Sequence, residues 1–273
     1  MRKLGLWVAV FLLVGFSAAP FLWSVVTSLK PRDEVFAVPP TYLPRGATLD
    51  NYAGVFEQRP FARYLLNSLV VAAGSTLLAL CAGAPAAYAL ARLRLRGAGL
   101  VEKGILLFAL VPPAVLLVPL VSAARGAGLA NSYAGLVLVH AALNLPLVVW
   151  MLASFFRRIP SELEDAARVD GFSRLGILAR IVLPVSAPAV AAAGVLAFIF
   201  SWNEFTISLV LMSRDEMRTV PVGIAMLSGA SAYEIPWGRI QAAVVMTTLP
   251  VVAAVLALQR RIVSGLTAGA VKE

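Results

Sequence analysis

Residues 161–184 read SELEDAARVDGFSRLGILARIVLP. Glu162, Glu164, Asp165, Arg168 and Asp170 crowd its first half, and Arg174 follows. The chain around it has 273 residues, 60% hydrophobic and only 14% charged, with a mean hydropathy of +0.86. Pro160 stops any helix arriving from upstream, because proline lacks an N–H and its ring crowds the preceding turn. Ser161 with Glu164 has the spacing of a capping box, which predicts a new helix start. On that helix Leu163, Ala166, Ala167 and Asp170 share one face, with Glu164, Asp165 and Arg168 opposite. Gly171 can adopt the left-handed conformation that ends a helix. A second amphipathic stretch, SRLGILARIV, then returns to an apolar block at Pro184. Two adjacent methyl side chains make one face narrow enough to sit in a groove of another protein. A helix resting on lipid headgroups fits less well. Leu163 is its only large apolar member, and four carboxylates would be repelled by anionic lipid.

Outward from this stretch the chain is oil. Six blocks are long enough to cross a hydrocarbon layer of about 30 Å. They cover residues 4–29, 64–91, 104–124, 132–156, 183–212 and 237–258. None alternates as a barrel strand would, so helices are expected, since only helices and closed barrels satisfy the backbone in lipid. The start, MRKLGLWVAVFLLVGFSAAP, imitates a signal peptide. Its apolar run continues to Leu29, too long for such a core, and reads as an uncleaved first span. Cys81 is the single cysteine, so no intrachain disulfide forms, and a packing role inside its block is expected.

The net charge of +9 suggests nucleic acid at first sight. No basic face survives among the apolar blocks, so the charge reads instead as the cytoplasmic bias of Lys and Arg in a membrane protein. Placing the N-terminus inside puts 14 of the 23 basic residues on the inner side, Arg92, Arg157, Arg158, Arg168, Arg174 and Arg180 among them. Both termini are then cytoplasmic. Residues 30–63, with Pro31, Pro39, Pro40, Pro44 and Pro60, form an outer segment that cannot be one regular helix. Residues 213–236 form a second outer loop, long enough to meet another protein.

The run DAARVDGFSRLGILARIVLP resembles the cytoplasmic EAA loop of ABC importer permeases. That loop reads E-A-A, three residues, G, nine residues, I, one residue, L-P. Ala166, Ala167, Gly171, Ile181, Leu183 and Pro184 fall in its register. Asp165 stands where the pattern has Glu, on a shorter arm, with Glu164 beside it. SLKPRDEVF, NSLVVA, FSWNEF and RRIVSGLTAGAVKE are similar to the carbohydrate-uptake, maltose-transporter-like branch of that family. The resemblance implies an all-α polytopic membrane protein with six transmembrane helices and the type I importer permease fold. It implies an N-terminal span and outer loop over 1–62, a permease domain over 63–258 with a coupling helix near 161–172, and a cytoplasmic tail over 259–273. The implied partners are a second permease, two ABC ATPase subunits, an extracytoplasmic solute-binding protein and a sugar, in a bacterial or archaeal cytoplasmic membrane. The implied ATPase-coupling residues are Glu164, Asp165, Ala166, Ala167, Gly171, Ile181, Leu183 and Pro184.

The chain contains no Gly-Lys pair and hence no phosphate-cradling GxxxxGK[ST] loop, so ATP and Mg²⁺ are expected in partner subunits and no cofactor in this chain. His140 is the only histidine, which excludes HExxH, and no GxSxG elbow or metal-ligand spacing occurs. A packing or hydrogen-bonding role is expected for His140. Asn203 and Glu204 are candidates to line a translocation path, because sugar hydroxyls need hydrogen-bond partners. Helix packing is an equal reading for both. The competing function is an ion-coupled secondary transporter of small polar solutes, for which Glu204 would be the embedded carboxylate.

Overall fold

The computed structural model describes residues 2–93, 95–227 and 234–267. Among these residues all regular structure is helical. The helices are α1 (Arg2–Ser28), α2 (Arg32–Val35), α3 (Asp50–Gln58), α4 (Phe61–Arg92), α5 (Ala98–Ala109), α6 (Pro113–Gly126) and α7 (Tyr133–Phe156). After them come α8 (Ser161–Val169), α9 (Arg174–Ile177), α10 (Leu183–Val185), α11 (Ala187–Asn203), α12 (Thr206–Leu211), α13 (Val220–Ala225) and α14 (Trp237–Thr267).

Four helices are long and apolar enough to span a membrane unbroken: Lys3–Ser28, Phe61–Arg92, Tyr133–Phe156 and Trp237–Gln259. The two remaining apolar blocks, expected as single helices, are broken. Ala98–Ala109 and Ala114–Gly126 meet at 101°. Pro112 and Pro113 supply no N–H there, and Pro112 takes an extended ψ of 131° before α6 begins. Arg174–Val185 and Ala187–Asn203 meet at 83°. The bend falls at Ser186, with a π-helical segment, Leu178–Val182, just upstream. The block breaks again at Glu204, whose ψ of 125° separates α11 from α12. Counting each bent pair as one span gives up to six. The last apolar block, expected to end at 258, continues as helix to Thr267; residues 268–273 of the expected tail lie outside the described residues.

The chain divides into two compact units. The first comprises Met1–Tyr64 and Val222–Val251. Its loop 29–49 is ordered by buried polar groups, as prolines without a regular helix require. The Lys30 ammonium donates to the Thr41 carbonyl and lies 4.9 Å from the Trp23 ring centroid. Glu34 accepts from the Thr41 hydroxyl at 2.7 Å and from the Arg45 N–H at 3.1 Å on each oxygen. The Thr41 hydroxyl leads in holding the Glu34 carboxyl below the usual carboxylate range, against the opposing effect of burial. Asn51 donates to the Ser28 and Lys30 carbonyls at 2.9 and 2.8 Å, and Tyr52 meets Ser28 at 2.8 Å. The SLKPRDEVF stretch is the centre of this knot.

The second unit comprises Leu65–Pro221 and Val252–Glu273. Within it α11 and α5 pack on α7, and α12 packs on α6. Its larger core is rich in alanine: Ala79, Ala84, Ala87, Ala141, Ala153, Ala193 and Ala197 surround Val148, Leu152 and Phe156. Methyl side chains let helix backbones approach closely, which is how helices associate where water supplies no drive. Cys81, expected inside its block, is exposed on α4.

Candidate functional site

α8 is nine residues long and begins directly after Pro160, which occupies the N-cap position with ψ 133°. The capping box expected from Ser161 and Glu164 does not form. Ser161 is the first helical residue and no side chain caps the helix. Glu164 points inward instead and is 3% exposed. Its Oε1 lies 2.8 Å from Arg92 Nε, and its Oε2 accepts from the Tyr88 hydroxyl at 2.9 Å. Arg92 also donates to the carbonyl of Ile159, immediately before α8. A carboxylate removed from water needs such partners, because an unpaired buried charge costs several kcal/mol.

The inward face of α8 is therefore Glu164 with Ala167, one helical turn apart. Ala167 joins the core formed by Tyr88, Phe156, Ile159, Ile177 and Leu178. This corrects the expected division of faces, in which Glu164 stood outward and Ala166 and Ala167 together formed the docking face. The outward face holds Leu163, Asp165, Ala166 and Val169, the last 89% exposed. Among the described residues Asp165 pairs with Arg168, at 3.0 Å, one turn along the same surface.

Gly171 ends the helix as expected, with φ +81°. The Phe172 N–H donates to the Ala167 carbonyl and the Gly171 N–H to the Arg168 carbonyl, each at 3.0 Å. This pairing is a Schellman motif, which satisfies carbonyls that the helix end would leave open. No atom outside the local chain lies within 4 Å of a Cβ built on Gly171, so the backbone conformation alone demands glycine. Ser173 caps α9 by accepting from the Gly176 N–H at 3.2 Å. Ile181 and Leu183 pack partly buried against the core, whereas Pro184 is exposed. Leu175 is 71% exposed beside the turn. An open groove of about 1150 Å³ runs between Ala91, Arg92, Leu93 and Leu95 on one side and α8 with its turn on the other.

A second polar site lies where α11 gives way to α12. Glu204 accepts from the Ile207 N–H at 2.7 Å and from the Ser208 N–H and hydroxyl at 3.0 and 3.1 Å. It thereby caps the first turn of α12, whose N–H groups have no other helical partner. His140, 2% exposed, places Nε2 at 3.4 Å from Glu204 Oε2. Its Nδ1 lies 2.7 Å from the Leu136 carbonyl, which can only accept, so Nδ1 carries a proton. The hydrogen-bonding role expected of His140 is the observed one. Asn203 is exposed and donates to the Ile199 carbonyl of its own helix at 2.9 Å. Glu204 and Asn203 thus diverge, one bonded within the break and one facing out.

Sequence reading missed two further clusters. Asn144 donates to Ser201 at 2.7 Å and Ser75 donates to Ser201 at 2.8 Å, linking α7, α11 and α4. Asn67 accepts from the Tyr133 hydroxyl at 2.7 Å and donates to the Glu216 and Arg218 carbonyls at 2.8 Å. The Val220 N–H donates to Ser68 at 2.8 Å. The signal available was the presence of uncharged polar residues inside NSLVVA and FSWNEF. Of the LSGASAY run in the second outer loop, residues 228–233 lie outside the described residues.

A family model described as "Binding-protein-dependent transport system inner membrane component" matches residues 62–267. The chain is 42% identical to the sulfoquinovosyl glycerol transport system permease protein of Agrobacterium fabrum, over 93% of this chain and 88% of that one. It is 39% identical to the trehalose transport system permease protein of Mycobacterium tuberculosis, over 96% and 94%. It is 37% identical to the trehalose/maltose transport system permease protein of Thermococcus litoralis, over 100% and 98%. In fold it is similar to a chain of a bacterial ABC transporter involved in import of the acidic polysaccharide alginate, with TM-score 0.73 and 22% identity, covering 95% of this chain and 96% of that one. The match over three quarters of the length, with relatives aligned nearly end to end, places this chain in the family of inner membrane components of binding-protein-dependent transport systems.

Proposed function

We propose that this chain is the permease subunit of an ATP-driven sugar importer, and that α8 with its Gly171 turn is the coupling helix on which a cytoplasmic ATPase docks. The observation that carries the docking assignment is the asymmetry of α8. Its inward face is buried, while Asp165, paired only along its own helix with Arg168, and Ala166 and Val169 stand exposed on the outward face among the described residues. As a transport-system membrane component the chain is not an enzyme and needs no cofactor of its own. ATP and Mg²⁺ belong to two ATPase subunits. A second permease completes the path, and an extracytoplasmic binding protein delivers the sugar; the bacterial alginate ABC transporter that the fold resembles is in complex with an alginate pentasaccharide-bound periplasmic protein. The sugar class rests on relatives named for trehalose, maltose and sulfoquinovosyl glycerol. With α8 cytoplasmic, the basic-residue bias puts both termini inside. Residues 1–62 form the leading span and outer segment, 63–258 the permease domain and 259–273 the tail.

Within that role Ala166 is the contact residue and Ala167 the anchor. Asn203, facing out at the end of α11, is the better candidate for the solute path, since the Glu204 carboxylate is committed to α12. The ion-coupled alternative loses its support for the same reason, and family membership favours a binding-protein-dependent system. The test is uptake by the assembled transporter against a panel of sugars, with and without its binding protein. Uptake that needs both the binding protein and ATP supports the reading. Uptake driven by an ion gradient without either overturns it.

A further inference from the structure

We infer that Tyr88, Arg92 and Glu164 form a positioning latch that makes α8 and the C-terminal end of α4 move as one body. This rests on the reading of α8 as the docking helix, and adds which helix receives its motion.

A nine-residue helix between Pro160 and a glycine turn has little of its own to resist pivoting under load. The methyl group of Ala167 packs but gives no direction. Direction comes from Glu164, whose two oxygens meet two residues one turn apart on α4: Arg92 at 2.8 Å and Tyr88 at 2.9 Å. Arg92 grips a second point, the Ile159 carbonyl, so the entry to α8 and its middle are held by one guanidinium. Arg168 lies 3.9 Å from Glu164 on the solvent side and closes the cluster. An apolar side chain at 164 would fill the same site without the cost of removing a carboxylate from water. The ion pair differs from such packing in fixing orientation, which is what transmission of a displacement needs. α7 is joined to α8 by the connecting chain and by apolar packing around Ala167, whereas α4 reaches α8 itself through the Tyr88 hydrogen bond and the Arg92 ion pair, both on Glu164.

The experiment uses the complete transporter with Cys81→Ser in this chain, spin labels at Ala86→Cys on α4 and Val169→Cys on α8, and pulsed electron spin resonance. Distances are measured without nucleotide and with ATP held unhydrolysed by EDTA. The latch predicts one unchanged distance in both states for the parent. It predicts a shifted and broadened distribution on ATP binding for Glu164→Gln and for Tyr88→Phe, with the ATPase still copurifying. A distance that shifts in the parent, or variants that behave as the parent, overturns the latch. The docking reading fails separately: it is overturned if Ala166→Trp leaves ATPase copurification unchanged, whatever the distances show.

Discussion

Two glutamates hold two breaks in the chain, and they do so differently. Glu204 caps the helix that begins two residues after it, through the Ile207 and Ser208 N–H groups. Glu164 spends its oxygens on another helix, through Tyr88 and Arg92. Around Glu204 the polar groups close on one another, and the exposed neighbour Asn203 bonds its own helix. Around Glu164 only the inward half is closed, and on the outward half of α8 Asp165 meets Arg168 of the same helix while Ala166 and Val169 are exposed among the described residues. A break that is capped serves the fold. A short helix that is tied down on one side and exposed on the other is what the proposed docking of a partner needs.

The comparison can be broken first at its strongest bonds. Glu164→Ala should lower stability by about 3 kcal/mol, because it leaves the Arg92 guanidinium largely buried without its charge partner. Thermal unfolding in detergent reads this directly, and a drop of the size seen for exposed substitutions would show that α8 is held by packing alone. Glu204→Ala should cost about 1–2 kcal/mol, the value of a lost cap, and should loosen α12 without affecting ATPase binding. Hydrogen exchange at Ile207 and Ser208 reports it. Gly171→Ala should cost about 1–2 kcal/mol, the strain of a left-handed non-glycine residue, and should also weaken ATPase copurification by tilting α8. Asp165→Asn should change stability by less than about 0.5 kcal/mol, since the carboxylate's partner Arg168 is on the exposed surface. Its effect belongs in the assembly assay, and a larger effect on stability than on assembly would reverse the roles assigned to the two acidic neighbours.

Much of this was legible beforehand. Apolar block lengths gave the helical membrane class, and Gly171 gave the turn, because a left-handed helix end has few acceptable residues. The S-x-x-E spacing misled, because the same glutamate can fold back on its own N-terminus or reach a partner 76 residues away, and local spacing does not record Tyr88. The helical wheel then placed Ala167 on the docking face, although its methyl lies in the core at 3% exposure. A large residue at 167, which the sequence would suggest as a docking probe, is therefore a core-packing mutation, and Ala166 is the right position. The bends at 112 and 186 were blurred for a different reason. Hydropathy sums over a block and stays high through a Pro-Pro pair or a serine that turns the chain. The buried links through Asn144, Ser201 and Ser75 depend on three helices meeting, which no single stretch encodes.

The account stands on the outward face of α8 meeting the ATPase, and site-directed cross-linking tests it most directly. In a Cys81→Ser background, Ala166→Cys and Asn203→Cys are each introduced into the complete transporter and treated with a short bis-maleimide against cysteines placed along the ATPase surface. The account predicts a covalent adduct with the ATPase from position 166 and none from position 203. No adduct from 166 with any ATPase cysteine, in a transporter that still hydrolyses ATP, would contradict it.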